Sequence, residues 1–248
     1  MERYLVATEL LDFEHPSLQE LVRDRDWLAL DDATRIAAVY KFVRDEIPFG
    51  YNASDDVPAS GVLADGYGQC NTKTTLLMAL LRAVGGVPAR FHGATIHKRL
   101  QQGVVRGLLY RIAPPEHHPQ LGRGVVRGPV GRAGGSDPRR QLLDGIRAKF
   151  PQTRGSFLGY GVGTDNLANP PVEWSGTDTT IQATGINRDY GVFDDPDGFY
   201  RVHGTNFRGL RAWLFGRWIR SLMNRNVARV RALGSGCSIP TDQTSATG

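Results

Sequence analysis

Cysteine is scarce in this chain. Cys70 and Cys237 are the only two among 248 residues. Two thiols so far apart do not make a disulfide framework, and a chain without one is expected in a reducing compartment, here the cytoplasm. Long apolar runs are missing too, and nothing approaches the length of a membrane span. The opening Met1-Glu2-Arg3-Tyr4 has no signal-peptide pattern. No cluster of His, Cys, Asp and Glu has metal-ligand spacing and no phosphate loop occurs, so no cofactor or metal is expected. Asp194-Asp195-Pro196-Asp197-Gly198 matches a calcium loop in composition only, without its spacing or closing glutamate, and reads as a turn.

What remains is ordinary for one globular domain with a sizeable core: 40% hydrophobic and 22% charged residues. The net charge of +5 would ordinarily suggest nucleic acid or an anionic membrane as partner. Its distribution argues otherwise. Between Pro115 and Arg140, Arg123, Arg127, Arg132, Arg139 and Arg140 stand against Glu116 and Asp137, so one passage carries +3 of the +5. No nucleic-acid partner is expected.

The informative stretch is Ala64-Asp65-Gly66-Tyr67-Gly68-Gln69-Cys70-Asn71-Thr72-Lys73. Gly66 and Gly68 permit a tight backbone just before the cysteine. From Thr72 to Val84 the spacing of Leu76, Leu77, Leu80 and Leu81 predicts a helix, ended by Gly85-Gly86. A cysteine where a turn becomes a helix meets unpaired N–H groups and the positive end of the helix dipole. Both favour thiolate, the nucleophilic form. Cys237, in a Gly-, Ser- and Thr-rich tail, has no such setting.

These residues resemble the transglutaminase-like superfamily of cysteine enzymes. The resemblance is carried by Ala59-Ser60-Gly61-Val62-Leu63, by Gly66 to Lys73, and by Leu80-Leu81-Arg82-Ala83 leading to Gly86-Val87-Pro88-Ala89-Arg90. It is close over residues 33 to 98 and implies a papain-like α+β fold. N-terminal helices lead, the nucleophile helix packs on an antiparallel sheet, and a His and an acidic residue follow on later strands to complete a triad with Cys70. It also implies Gln69 as a possible part of the oxyanion region.

The expected His strand is not there. Pro115 to Arg140 is dense in Gly, Arg and Pro and has almost no apolar periodicity. A long structureless loop inside a compact domain is suspect. Read one nucleotide later, codons for His117-His118-Pro119-Gln120-Leu121-Gly122-Arg123-Gly124 permit Ile-Ile-His-Ser-Trp-Val-Glu-Val. The same shift through Arg139 permits an aromatic pair, then Glu-Gly-Arg-Trp-Val-Glu-Leu-Glu-Gly-Val-Ile-Leu-Asp. That text alternates as strands do, turns at Glu-Gly-Arg, and resembles the family's His strand and acidic strand. Residues 115 to 140 therefore read as a frameshifted passage, with the frame restored by Leu142-Leu143-Asp144. In the chain as written, His117 and His118 are the base candidates in that region, by accident of the same nucleotides.

Elsewhere, His15-Pro16-Ser17 and Asp31-Asp32-Ala33-Thr34 read as helix starts, with Leu18, Leu21 and Val22, then Ile36, Val39, Tyr40 and Val43, as apolar stripes. Pro48 ends the second. Val87 to Ile96 reads as a strand; His92 and His97, on or just after it, read as surface or packing residues, the alternative being a base for Cys70. Asp165, Asn166 and Trp174 are candidates for lining a substrate cleft; the alternative is a structural loop with self-capping side chains. Thr179 to Thr184 reads as a short strand. Phe207 to Leu233 reads as a long basic amphipathic helix packed on the core through Leu210, Trp213, Leu214, Ile219, Leu222, Met223, Val227 and Val230. Residues 1–233 are expected to form one domain and 234–248 a disordered tail. The expected chemistry is acyl transfer or hydrolysis of a peptide or protein amide through a thioester at Cys70. The other readings are a catalytically inactive binding protein of the same fold, and a basic peripheral protein acting through the C-terminal helix.

Overall fold

Two polar side chains open the first helices, at the places the sequence marks. The computed structural model describes residues 2–85, 87–96, 123–124, 138–160, 162–169, 186–205, 213 and 215–234. Helix α1 (Pro16–Asp24) starts where the His15 ring accepts the Ser17 N–H at 3.3 Å. Helix α2 (Asp32–Asp45) starts where the Asp31 carboxylate accepts the N–H groups of Ala33 and Thr34, both at 3.1 Å. Each bond satisfies a donor that the first turn leaves without an intrahelical partner. Leu18 and Val22 of α1, and Ile36, Val39, Phe42 and Val43 of α2, are buried.

A short helix, α3 (Ala59–Asp65), ends at Gly66 in the left-handed region, φ +68°. Helix α4 (Cys70–Ala83) begins four residues later and is buried on nearly all sides. Leu76, Met78, Ala79, Leu80 and Leu81 lie in the core, and Asn71, Thr72 and Thr75 are buried as well. The helix starts two residues earlier than its apolar spacing indicates, because Gln69 and Thr72 cap it. Gly85, at φ +118°, follows its end.

Strand β1 (Phe91–Ile96) is shorter than expected. Val87 gives its N–H to the Leu81 carbonyl at 3.1 Å, closing the end of α4, and Pro88 has no N–H to offer a ladder. Strand β2 (Arg123–Gly124) pairs antiparallel with Phe91 and His92. Helix α5 (Pro138–Lys149) follows, then a hairpin of β3 (Phe157–Gly159) and β4 (Val162–Thr164). Strand β5 (Ile186–Phe193) lies antiparallel along the other edge of β1, giving the order β2-β1-β5. Helix α6 (Pro196–His203) is capped by Asp195, which accepts the Gly198 N–H at 2.7 Å. A five-residue π turn, Phe215–Ile219, leads into α7 (Arg220–Gly234).

Two apolar clusters result. One joins α1, α2, α4, β1 and α6 through Leu18, Val39, Leu76, Leu80, Phe91 and Phe199. The other joins α5, the β3–β4 hairpin and α7 through Leu143, Ile146, Val162, Met223, Val227 and Val230, with Tyr51 among them. Cys70 and Leu158 pack against Ala94 of β1.

The described parts fit the expected α+β class, with leading helices and antiparallel sheets. Several expectations change. Asp194 to Gly198, read as a turn, opens α6. Strand β5 and the β3–β4 hairpin were not foreseen. The C-terminal helix buries Met223, Val227 and Val230, whereas Trp213 and Leu222 are 59% and 47% exposed. Leu210, Leu214, the 179–184 strand and the 234–248 tail beyond Gly234 lie outside the described residues. Among the described residues, no helix is long and apolar enough to cross a membrane.

Candidate active site

The start of α4 is built by reciprocal capping. The Gln69 N–H donates to Thr72 Oγ1 at 3.0 Å, and the Gln69 side chain accepts the Thr72 N–H. This capping box fixes the backbone of Gln69 in an extended conformation, so that Cys70 becomes the first helical residue. Its N–H therefore belongs to the first turn, whose donors have no intrahelical acceptor, and the residue is half-buried there. The Cys70 carbonyl is engaged one turn on by the Thr74 hydroxyl at 2.8 Å.

The turn before it has no room for a side chain at Gly68. A Cβ there would lie 2.9 Å from Lys73 Cγ and 2.9 Å from Thr72 Oγ1. The turn is held from below by Asn52, which is fully buried. Asn52 Nδ2 donates to Asp65 Oδ2 at 2.8 Å and to the Tyr67 carbonyl at 3.0 Å, and its Oδ1 accepts the Thr72 hydroxyl at 2.6 Å. Lys73, also buried, points away from the thiol. Its ammonium donates to the carbonyls of Ile47 at 2.5 Å and Arg44 at 3.3 Å, beyond and within the end of α2.

A second polar group flanks the thiol. The Gln69 Nε2 donates to Asp55 Oδ1 at 2.7 Å, Asn71 Nδ2 approaches the same oxygen at 3.3 Å, and Asn71 also donates to the Tyr200 phenol oxygen at 2.8 Å. Burial, reinforced by the Asp55 carboxylate, pushes the Tyr200 phenol well above its usual range. Burial also pushes the Tyr51 phenol up, with a further contribution from negative charge on Cys70. Tyr51 is thus within electrostatic reach of the thiol.

Of the residues singled out from sequence, the structure brings Cys70 and Gln69 together at the helix start. Asp165 and Asn166 lie on the exposed loop after β4: Asp165 accepts the Ser156 hydroxyl at 3.2 Å, and Asn166 Oδ1 accepts the Asn169 N–H at 3.0 Å. Both are local loop contacts. His117, His118, Trp174, His97 and Cys237 lie outside the described residues. His92, on β1, is hydrogen-bonded to Asp189 of β5, Nε2 to Oδ1 at 2.7 Å. Sequence reasoning passed over Asn52, Asp55, Tyr200 and Tyr51. Asn71 was visible as a member of the cysteine motif; the others have no local signal.

The described residues thus form an α+β fold that places a cysteine at a capped helix start, packed against Ala94 of an antiparallel strand. Residues 20–118 match the family model of the transglutaminase-like superfamily. The match runs from α1 through the Cys70 helix and β1, so the resemblance read around Cys70 holds over that stretch. It stops at His118, inside the passage rich in Gly, Arg and Pro. No curated protein and no solved structure matches the chain.

Proposed function

We propose that the protein is a transglutaminase-like cysteine enzyme that cleaves or exchanges an amide of a peptide or protein through a thioester at Cys70. The observation carrying this reading is the position of Cys70 as first residue of α4, directly after the Gln69–Thr72 capping box, at the positive end of the helix dipole. The thiolate adds to the amide carbonyl, and the C–N bond breaks as the leaving amine takes a proton from the base. Water or a second amine then attacks the thioester, the C–S bond breaks, and the thiolate returns. The Cys70 N–H is the proposed oxyanion donor, and Gln69 secures it by holding the cap.

The base and its orienting carboxylate belong, in this reading, to the frameshifted passage between 115 and 140. The end of the family match within that passage supports the assignment. As written, the chain lacks both, and loss of a triad base commonly leaves only a small residue of the rate. His117 and His118 are the substitutes nearest in sequence. If the written passage is the true one, the same site is a binding cleft without turnover.

The test is thiol labelling. Iodoacetamide at neutral pH is expected to modify Cys70 at least tenfold faster than Cys237, read by peptide mass spectrometry. Equal, slow labelling of the two would remove the activated nucleophile and the function with it.

A further inference from the structure

The segment from Pro48 to Asn52 is extended, and its residues bond alternately to two sides. On one side lies the turn that carries the nucleophile. The Gly68 N–H donates to the Pro48 carbonyl at 3.1 Å, the Gly50 N–H donates to the Gly68 carbonyl at 3.1 Å, and Asn52 holds Tyr67 and Thr72 as described. On the other side lies α7. Arg231 donates to the Phe49 carbonyl at 2.7 Å. Asn224 takes both backbone groups of Tyr51: its Oδ1 accepts the Tyr51 N–H at 2.7 Å, and its Nδ2 donates to the Tyr51 carbonyl at 3.1 Å. A side-chain amide that pairs with both groups of one residue does what a neighbouring strand would do. Here it fixes the middle of the segment in position and in rotation.

We infer that Asn224 is a positioning residue for Cys70: through Tyr51 it fixes the 48–52 segment against which the 66–69 turn, and so the start of α4, is registered. This rests on the thiol chemistry proposed above and extends it to a helix remote in sequence. The alternation makes the arrangement specific. Residues 48, 50 and 52 touch the nucleophile turn, while 49 and 51 touch α7, so a displacement of α7 reaches the turn through a single layer of backbone.

The experiment compares Asn224→Ala, Asn224→Asp and Leu143→Ala with the unaltered full-length chain. Leu143 is a buried residue of α5 in the cluster that also packs α7, so its truncation loosens the same region without touching the 48–52 segment's hydrogen bonds. Iodoacetamide labelling of Cys70 is followed from pH 5 to 9, with Cys237 as internal reference, and melting temperature is measured for each variant.

Asn224→Ala is expected to slow Cys70 labelling at neutral pH by fivefold or more and to move the midpoint of its pH profile upward. Asn224→Asp keeps the acceptor for the Tyr51 N–H and is expected to fall between Ala and the parent. Leu143→Ala is expected to lower the melting temperature while leaving the midpoint in place. An unchanged midpoint in Asn224→Ala, or an equal move in Leu143→Ala, overturns the inference. Slow labelling already in the parent overturns the proposed function instead.

Discussion

Asn71, the residue after Cys70, donates through Nδ2 to the Tyr200 phenol oxygen 2.8 Å away, across 129 residues of chain. The contact ties the start of the nucleophile helix to α6. It is buried at both ends, so neither group has water as an alternative partner, and leaving one unsatisfied costs more than the bond itself contributes.

The ionisation of Tyr200 follows from that position. Its folded-state pKa is raised, first by burial and then by Asp55, whereas an unfolded tyrosine titrates near pH 10. A raised pKa contributes stability that is fully present below the unfolded value and is lost as pH rises through the folded value. Urea denaturation is therefore expected to show stability falling above about pH 10, with each such phenol adding up to about 1.4 kcal/mol per pH unit. Tyr200→Phe should flatten that slope; an unchanged slope counts against the assignment.

Gly68→Ala places a Cβ 2.9 Å from both Lys73 Cγ and Thr72 Oγ1. Neither neighbour can retreat easily, because Lys73 is held to Ile47 and Thr72 to Asn52. The expected loss is about 1–3 kcal/mol by urea denaturation, accompanied by slower labelling of Cys70. A neutral outcome on both would show that the turn is less tightly registered than its contacts imply.

Asn52→Ala removes two donations and one acceptance in a fully buried site. Asp65, the Tyr67 carbonyl and Thr72 lose a partner together. The expected cost is about 2–4 kcal/mol, read as a lowered denaturation midpoint with the slope unchanged. A cost under about 1 kcal/mol would mean that water replaces the side chain there.

His92→Ala tests whether a histidine already in place serves as the base. The His92–Asp189 pair is partly exposed, with Asp189 60% accessible, so its loss should cost no more than about 1 kcal/mol. Labelling of Cys70 is expected to stay within twofold of the parent. A tenfold fall would make His92 the proton acceptor and remove the need for a base from the shifted frame.

Resequencing the gene from the codon of Tyr110 to that of Asp144 is expected to give the frame that encodes His-Ser-Trp-Val-Glu-Val. A chain carrying that passage should turn over an amide substrate that the written chain only engages through its thiol. Codons that stand as written would leave the cleft without its base and favour the binding role.

The helices were legible because their signals are local. His15-Pro16 and Asp31 cap where such residues cap, and the stripes of α1, α2 and α4 face the core. Cys70 was legible for the same reason, since two glycines, a cap and a leucine stripe lie within twenty residues. Asp195-Pro196 is a helix-start signal too, hidden by the surrounding Asp and Gly that suggest a turn. Strand β5 escaped because Arg188, Asp189 and Val192 are exposed and its polar residues obscure the alternation. Asn52, Asp55, Tyr200 and Asn224 were illegible for another reason. Their roles come from side-chain pairings 13 or more residues apart, from Asn52 with Asp65 up to 173 for Asn224 and Tyr51, and no local periodicity encodes such a pairing.

That last separation bears on how the molecule is made. Tyr51 leaves the ribosome 173 residues ahead of Asn224, and at roughly 5–20 residues per second this interval lasts about 9–35 seconds. Throughout it the helix that bears Cys70 can form, but the partner that fixes its approach has not been synthesised. On the inference drawn for Asn224, the approach to Cys70 is fixed only once α7 has been made, so translation sets the delay between forming the Cys70 helix and fixing its position.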